Sequence, residues 1–150
     1  MTGFKTSVFI GRPLKTVFQA YIDPDNMLKW STDLVEFKIV KGKFGEKGAT
    51  AHLYYKQKGR IHIMEDRLEY FEPEKKIISS VSGEGLVARV QTVFSSMGEE
   101  TGIEITWEGR GKNLLLRFLL PFLKGTIRNR AHAELILFKS LVEEHGVKFK

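Results

Sequence analysis

The sequence predicts an α+β fold in which a curved, seven-stranded antiparallel sheet wraps a long C-terminal helix and encloses an apolar pocket. Three observations predict it. Between Leu34 and Glu108 the apolar period becomes two, and turns bearing glycine or proline cut the stretch into short strands. Two short helical patterns follow the first strand. A long apolar stripe at helical spacing then closes the chain and needs a sheet to lie on.

Phe4 to Ile10 alternates in part and ends at Gly11, as a first strand would. Pro13 suits the first position of a helix, where its missing N–H would have no partner anyway, and Leu14, Val17, Phe18 and Tyr21 form one apolar face. Asp23 and Pro24 restart the pattern as cap and first residue of a second short helix, anchored by Met27 and Trp30. Six strands come next: Leu34 to Lys41, Ala51 to Gln57, Arg60 to Phe71, Lys76 to Ser82, Val87 to Ser96 and Gly102 to Glu108. Their connections are too short for parallel crossovers, so the sheet is an antiparallel meander.

A hairpin turn determines which residues sit opposite, and opposite residues share a face. The Lys58-Gly59 turn pairs Tyr55 with His62 and Leu53 with Met64, while the turn at Glu72 to Lys75 pairs Tyr70 with Ile77 and Leu68 with Ser79. The loop Gly83 to Leu86 pairs Ser79 with Val90 and Ile77 with Thr92. The turn at Met97 to Thr101 pairs Phe94 with Ile105 and Thr92 with Trp107. All these turns select one face, which also carries Asp66 and Val81, whereas Lys56, Glu65, Arg67, Glu69, Arg89, Gln91 and Glu104 fall on the other. One side is therefore buried and the other wet. The loop from Gly42 to Thr50 sets no register, and hydrophobicity alone turns Val35, Phe37 and Ile39 inward.

The last helix is expected from about Pro121 to Glu144, with Ile127, Ala131, Leu135, Phe138 and Val142 as its apolar stripe. Ala131 at the middle of the stripe leaves room for a cavity between helix and sheet. The segment leading into the helix is both basic and apolar. Gly109 to Ala133 contains no acid, and Arg110, Lys112, Arg117, Lys124, Arg128 and Arg130 alternate with leucines and with Phe118 and Phe122. On one reading the Leu and Phe side chains pack inward and the cations face water. On the other, the segment is an interfacial lid that inserts Phe118 or Phe122 among lipids while Arg117 and Lys124 meet anionic headgroups.

At 150 residues the chain has the length of one domain, and 1–150 is read as such. Hydrophobic residues at 42% and charged residues at 28% are near globular averages, which excludes a collagenous, low-complexity or disordered chain. The absence of cysteine excludes disulfides, thiolate metal sites and cysteine nucleophiles together. The short apolar run around Val8 to Ile10 is too brief for a signal-peptide core, and no window approaches a membrane span, so a cytoplasmic protein is expected. The net charge of +6 is not accompanied by a helix-turn-helix, zinc-finger or aromatic-basic strand motif, so nucleic acid is the weakest of the partner hypotheses.

The stretches RPLKTVFQAYIDPDNMLKW, EYFEPEKKI and LLRFLLPFLKGTIRNRAHAELILFKSLVE, in this order of elements, resemble the START-like or SRPBCC superfamily of helix-grip proteins, specifically its polyketide cyclase or dehydrase branch. The resemblance covers nearly the whole chain. It implies a deep apolar pocket between the sheet and the last helix. It also implies a range of roles, from lipid, sterol and quinone carriage to polyketide cyclisation and chaperone regulation, among which the fold does not choose.

Catalytic and cofactor signatures are missing: there is no HExxH, P-loop or GxSxG, and no cofactor is expected. Gly83-Glu84-Gly85 loosely mimics a dinucleotide loop, but it precedes a strand where a helix is needed. His52 is placed on the wet face, and His132 and His145 lie on the last helix without metal-ligand spacing. His62 faces the pocket beside Tyr55. Asp66, four residues along, is roughly 13 Å away at ~3.3 Å per residue, so no His–Asp dyad forms. His62 is then a hydrogen-bonded core residue, a ligand contact or an acid–base group. Asp66 on an apolar face needs a partner. Either it pairs with Arg128 or Arg130, or it forms a polar end to the pocket with Tyr55, His62, Tyr70 and Ser79. Met64, Thr92, Phe94, Trp107 and Ala131 complete the candidate ligand-binding set. Binding or transport of a hydrophobic small molecule (lipid, isoprenoid or polyketide-like) is preferred to a cyclase or dehydratase using Tyr55, His62 or Asp66, because no catalytic constellation accompanies the pocket.

Overall fold

A computed structural model describes residues 2–149. Strand β1 (Thr2–Ile10) leads into helices α1 (Leu14–Ile22) and α2 (Pro24–Trp30). The meander follows as β2 (Leu34–Lys41), β3 (Thr50–Gln57), β4 (Arg60–Glu72), β5 (Lys76–Gly83), β6 (Leu86–Met97) and β7 (Glu100–Gly111), and the chain closes on α3 (Leu114–His145). The seven strands form one antiparallel sheet in the order β1-β7-β6-β5-β4-β3-β2, with β1 returning to pair with β7. This is the α+β architecture expected, with a long helix against one face of the sheet.

Local chemistry explains the elements. The Asp23 carboxylate accepts from the Asp25 N–H at 2.9 Å, capping α2 with Pro24 at its first turn. Two-residue turns occur where the sequence provides residues for positive φ: Lys58-Gly59 at 51° and 76°, and Glu84-Gly85 at 52° and 79°. The Gly-Glu-Gly run is thus a hairpin turn, not a phosphate loop. The core gathers Val8, Ile10, Val17, Phe18, Phe94, Ile103, Leu135, Phe138 and Val142. Asn26 is buried without cost, because its side chain donates to the Ala20 and Val147 carbonyls at 3.1 and 2.6 Å and accepts from the Phe149 N–H at 3.0 Å.

Four expectations need correction. In β4 a bulge at Glu69 shifts the register, so Tyr70 pairs with Ile78 and Phe71 with Ile77. Each residue beyond the bulge changes face, and Tyr70 turns outward while Phe71 turns in. The three-residue connection Pro73-Glu74-Lys75, with Glu74 at φ 63°, accounts for the odd step. A second bulge lies between Leu34 and Glu36, so Leu34 is buried and Val35 exposed. The β6–β7 turn is also tighter than expected: Met97 pairs with Glu100, which sets Phe94 opposite Ile103 and Thr92 opposite Ile105. That shift is even, so the inward face is kept.

The fourth correction concerns α3, which begins at Leu114, seven residues before Pro121. The Asn113 side chain caps it by accepting from the Leu116 N–H at 2.9 Å. A proline at this point in a helix releases the Arg117 carbonyl from its ladder bond but does not stop the helix. The start of the helix rests on glycines. A Cβ at Gly85 would come within 2.4 Å of the Leu116 side chain, and one at Gly111 would meet the backbone of Leu116 and Arg117 at 2.6 Å. Inward packing of the Leu and Phe residues in this segment is incomplete: Leu120 is buried and Leu116 partly so, but Leu114, Leu115, Phe118 and Phe122 are 82, 66, 69 and 74% exposed.

Candidate functional site

The concave face of the sheet and the middle of α3 enclose a cavity of about 620 Å³, within the usual range of about 300–1,000 Å³ for small-molecule sites. Side chains from α1, α2, all seven strands and α3 line it. β1 supplies Phe4, whose ring stacks on Trp107 of β7 at 5.3 Å between centroids. β2 and β3 add Phe37, Ile39, Leu53 and Tyr55, and β4 adds His62, Met64, Asp66, Leu68 and Phe71. β5 and β6 add Ile77, Ser79, Val81, Val90 and Thr92. The helix contributes Thr126, Ile127, Arg130, Ala131 and Glu134. Ala131 stands at the middle of the inward stripe, where its single methyl leaves the concavity open.

Of the residues singled out in the sequence, Tyr55, His62, Met64, Asp66, Ser79, Thr92, Trp107 and Ala131 line this cavity. Tyr70 does not, because of the β4 bulge; its hydroxyl donates to the Glu72 carboxylate at 2.8 Å on the outer side. Phe94 does not either. It is buried in the core between Phe18 and Tyr21, with edge-to-face rings at 5.2 and 5.4 Å. Arg117, Phe118 and Lys124 lie on the exposed part of α3, away from the cavity lining.

The walls are apolar, and the polar groups form a limited set. Tyr21 and Thr92 hydroxyls lie 3.3 Å apart. Burial pushes the Tyr21 phenol up to about 12, partly opposed by its bond to Thr92. Burial likewise raises Tyr55, against the Ser31 hydroxyl beside it. Both phenols therefore stay protonated. Asp66 is raised above the ordinary carboxylate value by burial, with the neighbouring Ser79 hydroxyl acting in the opposite sense. Of the two alternatives for Asp66, the ion pair with Arg128 or Arg130 is not made. Arg130 instead donates to the Thr32 carbonyl at 2.8 Å and lies 3.5 and 4.0 Å from Glu134 and Asp33, while Arg128 is exposed. These acids are closer to the guanidinium in the fold, so Asp66 is left to the cavity.

His62 has a carboxylate partner that hairpin arithmetic could not supply. Its Nδ1 is 2.9 Å from Glu84 Oε1, which reaches across from the β5–β6 turn at an exposed edge of the cavity. Sequence reasoning also missed Phe4, Tyr21, Phe71 and Glu134 as lining residues. Tyr21 was legible only as part of an apolar stripe, and Phe71 was displaced by the bulge. Among the described residues, no group of three His, Cys, Asp or Glu side chains could hold a metal ion.

Solved structures match this arrangement along almost its whole length. The START superfamily protein from Mycobacterium smegmatis superposes with a TM-score of 0.75 at 12% identity, over 95% of this chain and 97% of that one. This chain has a START-like helix-grip fold. The Zhui aromatase/cyclase from a Streptomyces species (R1128) shares the helix-grip fold with a TM-score of 0.77 at 13% identity, over 95% of this chain and 94% of that one. Ara h 8.0201 does so at 0.80 and 14%, over 96% and 99%. By sequence, no protein-family model and no curated protein matches the chain.

Proposed function

We propose that this START-like chain binds or carries a hydrophobic small molecule, of lipid, isoprenoid or polyketide-like character, in the cavity between sheet and helix. The observation that carries the reading is the cavity itself: about 620 Å³ walled mainly by aliphatic and aromatic side chains, with Tyr21, Tyr55, Ser79, Thr92 and Asp66 among its polar groups. Apolar walls supply affinity through area removed from water, and a few hydroxyls orient one or two oxygens of the ligand. Protonated phenols suit a carbonyl or hydroxyl oxygen better than a cation. Tyr55, His62, Met64, Asp66, Ser79, Thr92, Trp107 and Ala131 are the proposed contacts.

Native mass spectrometry of freshly purified protein, followed by a lipid and aromatic binding panel, tests this reading. A co-purified apolar molecule or a panel member that binds would support it. Ala131→Trp should fill the cavity and abolish that binding while the protein stays folded, since the indole enters existing space. Unchanged affinity would place the ligand elsewhere, and failure to bind anything on the panel would count heavily against the proposal.

A second reading, a cyclase- or dehydratase-type reaction, is favoured by Asp66, a carboxyl biased by burial toward its neutral acid form inside an apolar cavity. One of the neighbours is itself named an aromatase/cyclase. Asp66→Asn separates the two readings on any bound polyketide-like compound. With a carrier the compound would stay chemically unchanged in the presence of either protein, whereas an enzyme would convert it only with Asp66 present.

A further inference from the structure

The first part of α3 presents an apolar surface to solvent where a water-facing helix should be polar. Leu115, Phe118, Leu119 and Phe122 recur at spacings of three and four on the side away from the sheet, and the Phe118 and Phe122 rings lie 5.9 Å apart. On the inward side Leu116 packs against Gly85 and Gly111 of the sheet, and Leu120 is buried. The helix is therefore apolar on two sides, and only one side is covered. Around the helix, between the uncovered stripe and the covered side, run Arg117, Lys124 and Arg128, at intervals of seven and four that place them in one row, as on the polar flank of an interfacial helix. All three are exposed, and neither Lys124 nor Arg128 meets an acid among the described residues.

We infer that this face of α3 docks on an anionic membrane surface, with Phe118 and Phe122 inserted among the lipids and Lys124 and Arg128 against the phosphates. Charge selects this occupant. A second copy of the chain seated on the stripe through the same segment would leave the cationic row unanswered, because the stretch from Gly109 to Ala133 holds no acid. Lipid phosphates complement the row and supply the apolar medium that the rings lack. The topology adds a further cationic feature, since the meander returns the Lys58-Gly59 tip to the same end of the sheet as the start of α3, with Lys58 and Arg60 exposed there. Docking would also bear on the cavity, because the same helix walls it through Ile127 and Ala131.

Sedimentation with phosphatidylcholine vesicles, with and without phosphatidylglycerol, tests the inference on the full chain. The parent protein should sediment with the anionic vesicles and be released by salt. Lys124→Glu with Arg128→Glu should weaken that binding by at least roughly fivefold per charge. Phe118→Ser with Phe122→Ser should weaken it on both vesicle types, since inserted rings contribute area and not charge. Because these side chains are exposed, melting temperatures should barely move. Parent protein that ignores anionic vesicles overturns the inference, as does a charge-reversed variant that binds them equally well. A dimer in analytical ultracentrifugation that dissociates on Phe118→Ser would assign the face to a second copy and overturn it too. A sharp fall in melting temperature for Phe118→Ser would make the ring part of the fold and also sink it.

Discussion

The two halves of α3 solve opposite problems with similar residues. From Ala131 onward the helix is tied into the molecule: Leu135, Phe138 and Val142 are fully buried, and polar side chains along it reach other elements. His132 meets the Thr6 hydroxyl at 2.7 Å, Glu134 accepts from the Thr32 N–H at 2.8 Å, Lys139 donates to the Phe9 carbonyl at 2.6 Å and Glu143 accepts from the Gly11 N–H at 2.7 Å. Before Lys124 the side-chain hydrogen bonds are local, Asn113 to Leu116 and Arg117 to Gly111, and most of the apolar side chains face solvent. Pro121 and Gly125 also lower the intrinsic helicity of this half. A leucine or phenylalanine at helical spacing is thus core in one half and surface in the other. Amphipathic pattern shows that a face is apolar, and only packing shows what covers it.

The largest expected effect comes from the buried half. Phe138→Ala should cost about 3–5 kcal/mol in denaturant unfolding, because the ring touches Tyr21, Trp30 and Phe149 and its removal leaves a cavity that surrounding rings cannot close. A loss under about 1 kcal/mol would mean that this half is held by its hydrogen bonds instead. A smaller effect belongs to the cavity between the halves. Asp66 has a folded-state pKa raised above its ordinary 3.8, so its stabilising contribution is complete below that value and is lost as pH rises through the raised pKa. Asp66→Asn should therefore melt above the parent at neutral pH, and the gap should close as pH falls toward the ordinary carboxylate value. A gap independent of pH would show that water reaches the carboxyl and that the cavity is wet. The smallest effect is expected in the exposed half, where Phe122→Ala should change stability by no more than about 0.5 kcal/mol. A large loss there would erase the contrast between the halves.

Periodicity, caps and turn residues are local properties, and they carried the architecture. The change of period at Leu34, the Asp23-Pro24 cap, the Lys58-Gly59 turn and the stripe from Ile127 to Val142 led to the strand order, the inward face and the helix beneath it. Eight of the ten side chains proposed for the pocket lie on its wall, seven because hairpin pairing propagates a face from strand to strand and Ala131 because helical spacing sets the inward stripe. Tertiary structure decided what depends on distant choices. A bulge adds one residue and reverses the face beyond it, which exchanged Tyr70 for Phe71. Charged groups take the partners that folding brings nearest, so His62 met Glu84, Arg130 met Glu134 and Asp33, and Asp66 has no cation partner among the described residues. Whether Phe118 and Phe122 would be buried was also outside the reach of the sequence, because burial requires a second surface, and in this half of the helix the inward positions are those of Leu116 and Leu120.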